Sequence, residues 1–277
     1  MTINCGGKLL DLSEPKVMAI CNITNDSFFK GSRVSNEKEL CRLVENHLSN
    51  GADIIDIGGM SSRPGAKEIP LDDEINKLKW GIQVIQDSFQ NTIISIDTYR
   101  SKVVEAVSDL GVGMVNDISG GMLDENLIET VGKMKIPYVL MHMKGNPETM
   151  QKNTSYQKGV VLTEIEYFKN RIAYCKSQGI NDLVIDPGFG FGKSLKDNYV
   201  ILNQLSSFSM FDLPIMVGLS RKSMIYKTLG TTSDAALNGT TALHMVALLN
   251  GSNLLRVHDS KEAVECVKLF KTLKENQ

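Results

Sequence analysis

Eight short apolar runs in this sequence end on residues that could do chemistry. At or just after their C-terminal ends stand Asn22, Asp56, Asp97, Asn116–Asp117, His142, Asp186, Ser220-Arg221-Lys222, and Arg256 with His258. A single Asp in such a place is ordinarily a helix cap or turn former. A series that mixes acids, amides and bases instead describes a polar mouth of small-molecule size. Two sets stand out within it. Asp97, Asn116, Asp186 and Lys222 combine carboxylates, an amide and a cation. They suit a flat, nitrogen-rich heterocycle with a guanidine-like edge, because a carboxylate pairs well with two adjacent N–H donors. The same four would equally make a buried ion-pair network. The second set is directed at an anion. SSRPGA (61–66) supplies hydroxyls and Arg63, while Arg256 and His258 flank a single valine. Alternate residues of a strand share a face, so Arg256 and His258 are expected to point at one ligand. With Arg63 and Ser62 they would hold a phosphate or diphosphate through charge-assisted hydrogen bonds. Asn22 would offer an oxygen to a Mg²⁺ that shares the phosphate oxygens.

The stretch IDPGFGFGKS (185–194) looks like a nucleotide-binding loop and fails the count. A phosphate-binding loop needs glycine five residues before the glycine of Gly-Lys-Ser, and that position is Pro187. The dinucleotide pattern fails as well, because its third glycine falls on Lys193. The stretch is expected instead to be a mobile lid passing close over the mouth, with Phe189 and Phe191 as walls for an aromatic ligand.

The elements that would carry these residues follow from periodicity. VMAICNI (17–23), DIIDIG (53–58), TIISID (92–97), GMVND (113–117), YVLMHM (138–143), DLVID (182–186), PIMVGLS (214–220) and NLLRVHD (253–259) read as parallel strands covered on both faces. Between them apolar residues recur at helical spacing, as in Ile75, Leu78, Ile82 and Ile85, or Leu237, Leu243, Val246 and Leu249. Eight such units predict a (β/α)8 TIM barrel, a single α/β domain over 1–277, with the polar ends gathered on one rim. Thirty basic against 32 acidic residues give a charge of −2, which points to neither nucleic acid nor membrane as partner. Five scattered cysteines suggest neither a disulfide framework nor a zinc site. With no charged leader before an apolar core and no membrane-length apolar run, a reducing cytoplasmic location is expected.

At this point the motifs resemble those of bacterial dihydropteroate synthases over nearly the whole chain. The pieces, in order, are NITNDSF (22–28), DIGGMSSRPGA (56–66), SIDTYR (95–100), NDISGG (116–121), LMHMKGNPETMQ (140–151), IDPGFGFGKS (185–194), GLSRKSMI (218–225) and RVHD (256–259). The resemblance implies a barrel that condenses 6-hydroxymethyl-7,8-dihydropterin diphosphate with 4-aminobenzoate in folate biosynthesis, assisted by Mg²⁺ and inhibited by sulfonamides. It implies pterin binding by Asp97, Asn116, Asp186 and Lys222. Diphosphate would fall to Asn22, Ser62, Arg63, Arg256 and His258, with the metal through Asn22. The aminobenzoate pocket would involve Phe28, Pro64, Phe191, Lys222 and Ser223, and Asp97, Lys222 and Arg63 would carry catalysis. A homodimer through the later helices is also implied. The first loop departs from the family's usual wording at Asn25 and Lys30, and the second at Met60 and Ser62. Two rival readings share the deep acids: a methyltetrahydrofolate methyltransferase of the same barrel type, and a catalytically silent pterin-binding paralogue. The anion set argues against both.

Overall fold

The computed structural model describes residues 1–23, 36–60, 68–146, 150 and 154–276. A hairpin of β1 (Thr2–Cys5) and β2 (Lys8–Asp11) comes first. Then follow β3 (Lys16–Asn22), β4 (Ile54–Gly58), β5 (Ile93–Asp97), β6 (Met114–Asp117), β7 (Tyr138–Met141), β8 (Leu183–Asp186), β9 (Met216–Val217) and β10 (Leu254–Val257). These eight pair in parallel in the order β8-β7-β6-β5-β4-β3-β10-β9, and a bridge between Ile185 and Ile215 closes the ring. All eight predicted runs are therefore strands, and the fold is the expected (β/α)8 barrel.

The strands form because their residues are apolar on both faces. Every residue of β4 is buried, for instance, its outward side under helices and its inward side in the barrel. The outer layer consists of α1 (Glu37–Ser49), α2 (Leu71–Ser88), α3 (Ser101–Val107), α4 (Leu127–Met134), α5 (Val160–Ser177), α6 (Leu195–Asn203), α7 (Ser223–Thr228), α8 (Leu237–Leu249) and α9 (Ser260–Glu275). In α2 the predicted stripe holds: Leu78, Ile82 and Ile85 are buried against the barrel and Ile75 is half-buried.

Two features differ from expectation. In α8 the helix is where the spacing put it, but the buried face is Thr240, His244, Ala247 and Leu248. Leu237 and Leu243 are half-buried, while Val246 and Leu249 are 37% and 50% exposed. This helix is apolar nearly all round, so periodicity did not select a face. Thr240 faces inward, where its hydroxyl accepts from the Arg221 amide at 3.1 Å. The second feature is the hairpin. Its Ile3, Cys5, Leu10 and Leu12 pack against Met18, Ile54, Met114, Val139, Val184, Met216 and Leu254, which lie at or near the starts of the barrel strands. The hairpin thus closes the end of the barrel opposite the polar rim.

Candidate functional site

Strand register sets the first part of the site. Asn22 lies opposite Gly58, Gly58 opposite Asp97, and Asp97 opposite Asn116, so four neighbouring strands end in one row. Gly58 keeps that row open. A Cβ there would stand 3.3 Å from Asn22 Oδ1 and 3.5 Å from the Asp97 Cβ. Two residues earlier on β4 comes Asp56, fully buried, whose Oδ2 accepts a hydrogen bond from Asn116 Nδ2 at 3.0 Å. Arg256 reaches in from β10 and joins the two layers, donating Nε to Asp56 Oδ2 at 2.7 Å and Nη2 to Asp97 Oδ2 at 2.6 Å. Asp56 Oδ1 has no hydrogen-bond partner among the described residues. Burial pushes the Asp97 carboxyl up to about 7, with Arg256 pulling the other way. Burial also opposes the Arg256 charge, but Asp56 and Asp97 outweigh it and raise its pKa, so the guanidinium stays charged.

The second part is a pair across Gly218, where a Cβ would lie 3.8 Å from Lys222 Nζ and 4.0 Å from Asp186 Oδ2. Asp186 Oδ1 accepts from the Gly188 amide at 2.7 Å. Lys222 Nζ donates to the Phe189 carbonyl at 2.5 Å and sits 4.8 Å from the centre of the Phe191 ring. Burial depresses Lys222 to about 7 against the attraction of Asp186, and burial raises Asp186 against the attraction of Lys222. The site thus holds an acid and a base whose ordinary pKa gap has narrowed, the arrangement that lets one pocket hold or move a proton near neutrality. The preceding residue, Arg221, adopts a left-handed backbone with φ 54°. That conformation costs a non-glycine residue ~1–2 kcal/mol. It is held by a two-point ion pair with Asp259 at 2.8 and 2.9 Å.

A cavity of about 500 Å³ opens beside both parts. Asn22, Asp97, Phe191, Lys222, Ser223, Arg256 and His258 all line it. Arg256 and His258 do share a face, as their alternation predicted. Asn116 and Asp186, 2% and 4% exposed, lie behind the lining residues. His258 faces Ser220, its Nδ1 being 3.2 Å from the Ser220 hydroxyl. Burial, reinforced by Arg256, pushes the imidazole down to about 3, so it meets a ligand as a neutral group. With Nε and Nη2 committed to carboxylates, Nη1 of Arg256 makes no hydrogen bond to the described residues. The predicted positions Phe28, Ser62, Arg63 and Pro64, like Asn25 and Lys30, lie outside the described residues. Met60 is described: it packs with Tyr99, Ile118, Met141, Met143 and Phe191 in an apolar cluster at the mouth.

The remaining polar strand ends are structural. Asp117 accepts from the Ser119 and Gly121 amides and from the Tyr138 hydroxyl, which makes it a turn former. His142 Nδ1 lies 3.1 Å from Glu164 on α5.

The loop after β8 is a fixed wall, which corrects the expectation of a mobile lid. Lys193 is 3% exposed, and its ammonium donates to the carbonyls of His142, Gly188 and Phe191 at 3.0, 2.9 and 3.1 Å. It also lies 3.3 Å from the Glu164 carboxylate. Gly188, Gly190 and Gly192 take φ values of 70°, 84° and 70°, the region open to glycine. Ser194 ends the loop by capping α6: its hydroxyl accepts from the Asp197 amide and Asp197 answers the Ser194 amide. Phe189 is fully buried yet borders the cavity as expected, and its carbonyl is the group that meets Lys222. Sequence reasoning counted Asp56 among the polar strand ends but placed it in neither ligand set, and it did not find the Glu164–Lys193 pair. The alternation of Asp56 with Gly58 on β4 was the available signal for the first. Glu164, within an ordinary helix, left none.

The comparisons with known proteins agree with this geometry. The family described as "Pterin binding enzyme" matches residues 18–258. The dihydropteroate synthase of Escherichia coli K12 is 38% identical over 283 aligned positions, covering 100% of this chain and 99% of that protein. The crystal structure of the Yersinia pestis dihydropteroate synthase with a sulfonamide drug superposes with a TM-score of 0.95 at 34% identity, covering 100% of both chains. The Xanthomonas albilineans dihydropteroate synthase with 4-aminobenzoic acid gives 0.88 at 33% identity, covering 99% of this chain and 98% of that one. On both the matched profile and these full-length relatives, the chain belongs to the pterin-binding enzymes, in the dihydropteroate synthase family.

Proposed function

We infer that the chain is a dihydropteroate synthase, a transferase that joins 6-hydroxymethyl-7,8-dihydropterin diphosphate to 4-aminobenzoate. The products are 7,8-dihydropteroate and diphosphate, for folate biosynthesis. The observation that carries this reading is the Asn116–Asp56–Arg256–Asp97 network beside the Asp186–Lys222 pair, which meet one cavity through Asp97, Arg256 and Lys222. Carboxylates on two sides, with an Asp56 oxygen that has no hydrogen-bond partner among the described residues, match the N–H edge of a pterin. The aminobenzoate ring would stand outside it against Phe191, Lys222 and Ser223, with Phe28 and Pro64 from the first two loops; the Xanthomonas relative's complex with 4-aminobenzoic acid supports that ligand.

The reaction is a substitution at the pterin methylene carbon. The C–O bond breaks, diphosphate leaves with the electron pair, and the aniline nitrogen forms the new C–N bond and gives up a proton. Asp97 would face the electron-poor pterin, while Lys222, Arg63 and the free edge of Arg256 would meet the departing negative charge. Asn22, Ser62 and the neutral His258 would complete the diphosphate cradle by hydrogen bonds.

Mg²⁺ fits this donor set only as an ion that arrives with the diphosphate. Among the described residues no group of three or more His, Cys, Asp or Glu side chains could hold a metal, and Asn22 contributes one amide oxygen at the lining. Mg²⁺ commonly takes one or two protein oxygens and completes its shell with phosphate oxygens and water. It would neutralise charge on the leaving group. Diphosphate release should therefore require both substrates and fall on chelation of the metal. Release from the pterin diphosphate alone, at the same rate with and without 4-aminobenzoate, would refute the synthase reading.

The chain would act in the cytoplasm, and no described helix is long and apolar enough to cross a membrane. Two copies would pair through α8 and α9, where Val246, Leu249, Leu269 and Leu273 leave apolar surface exposed. Sedimentation should give twice the mass of one chain, and Leu249→Glu with Leu269→Glu should return it to one. A single-chain mass for the unsubstituted protein would overturn the dimer.

A further inference from the structure

We propose that Lys193 and Glu164 form a buried positioning pair that holds the 188–192 backbone in place, so that the Phe189 carbonyl and the Phe191 ring fix Lys222 in the site. The proposal rests on the reading that Lys222 works at the pterin, and it concerns how that lysine is aimed.

A single ammonium gathers three carbonyls from two segments: His142 after β7, and Gly188 and Phe191 in the loop after β8. The Glu164 carboxylate, fully buried on α5, lies 3.3 Å from the same Nζ and ties the assembly to the outer layer. Burying an ammonium and a carboxylate together is costly, and a buried pair is seldom justified by stability alone. What it accomplishes here is geometric. The two carbonyls it holds in the loop, on Gly188 and Phe191, bracket Phe189, whose own carbonyl accepts from Lys222 Nζ. Phe191, whose carbonyl Lys193 holds, carries the ring 4.8 Å from that same Nζ. Lys193 thus touches no lining position with its charge except through backbone, yet it sets two of the contacts that Lys222 makes. Lys222 also faces Asp186, Arg256, Lys193 and Asp97, while Lys193 faces Glu164, Asp186, Asp197 and His142.

A double variant separates positioning from stability. Lys193→Met alone leaves Glu164 buried without its cation and should unfold at a lower temperature. Lys193→Met with Glu164→Gln removes both charges and should regain most of the lost Tm. If the pair positions Lys222, kcat in the double variant stays down by about tenfold to a hundredfold despite the recovered Tm. The protonation of Lys222 gives a reading that needs no substrate. Its acylation by an amine-reactive reagent, followed by peptide mass spectrometry across pH, reports where the neutral amine appears. Loss of the Phe189 carbonyl removes a contact with the charged form and moves that onset to lower pH. Removal of the Lys193 charge with the loop unmoved relieves a repulsion and moves it to higher pH. A lower onset together with depressed kcat supports the proposal. A higher or unchanged onset, or a kcat that recovers with Tm, overturns it. Should the double variant fail to fold, Lys193→Gln is read by the same two measurements, and the same outcomes support or overturn the proposal. Because the acylation titration works without the condensation, its failure is distinct from failure of the synthase assignment.

Discussion

Asp97→Asn is expected to lower kcat/KM for the condensation by about a hundredfold to a thousandfold, the loss typical when one preorganised polar contact to a reacting group is removed. The substitution keeps the side chain's size and one carbonyl-type oxygen, so packing at the end of β5 should survive. It removes the charge that accepts from Arg256 Nη2 at 2.6 Å and that would face the pterin. Arg256 keeps Asp56 at 2.7 Å and is not stranded, so folding should change far less than turnover. The two effects are separable by steady-state kinetics alongside a thermal melt. Turnover within threefold of the unsubstituted protein would remove Asp97 from the catalytic centre. A large fall in Tm would make the carboxylate's role structural.

The second large effect is expected at Gly188, where alanine should destabilise the fold and also disturb the pocket. An added Cβ would stand 2.1 Å from the carbonyl oxygen of His142, and φ is 70°. The left-handed conformation costs ~1–2 kcal/mol. The overlap with backbone adds about 1–3 kcal/mol as overpacking. In a chain of this size that total corresponds to a Tm loss of about 3–9 °C. Activity should fall further than stability, because the Gly188 amide holds Asp186 and its carbonyl accepts from Lys193. Gly190 is the control: it shares the positive φ, but among the described residues its added Cβ would come within 4 Å of the Lys222 Cδ alone, at 3.4 Å. Gly190→Ala should therefore melt closer to the unsubstituted protein. Equal losses at the two glycines would show that backbone conformation alone, rather than close approach, is at work.

Much of this site was legible because a parallel barrel forces its strand ends together. Asp97, Asn116 and Asn22 needed only the strand boundaries to be placed in one row, and period-two alternation put Arg256 with His258. Sequence could not say which partners each side chain would choose. Arg256 read as an anion ligand, yet its position depends on Asp56 and Asp97, which come from distant strands. Lys193 read as part of a lid because glycines suggest freedom, whereas here their positive φ values serve a tight wrap around a buried ammonium. In α8 the difference had another source. A helix apolar nearly all round carries no preferred face in its sequence, so tertiary packing made the choice.

The hairpin ahead of the barrel bears on how the chain closes. Leu12 accepts a hydrogen bond from the Asn253 side chain, 241 positions away, and Ile3, Leu10 and Leu12 share a cluster with Leu254. The floor is therefore sealed by two segments that flank every other strand. Contacts of such long separation are the slow ones to form, since the connecting chain's entropy must be given up before they reward it. Only when β10 has arrived does the hairpin have a complete surface to cover. The same strand seats Arg256, two residues beyond Leu254, against its carboxylates, so the contacts that close the ring and those that assemble the binding site share one short segment.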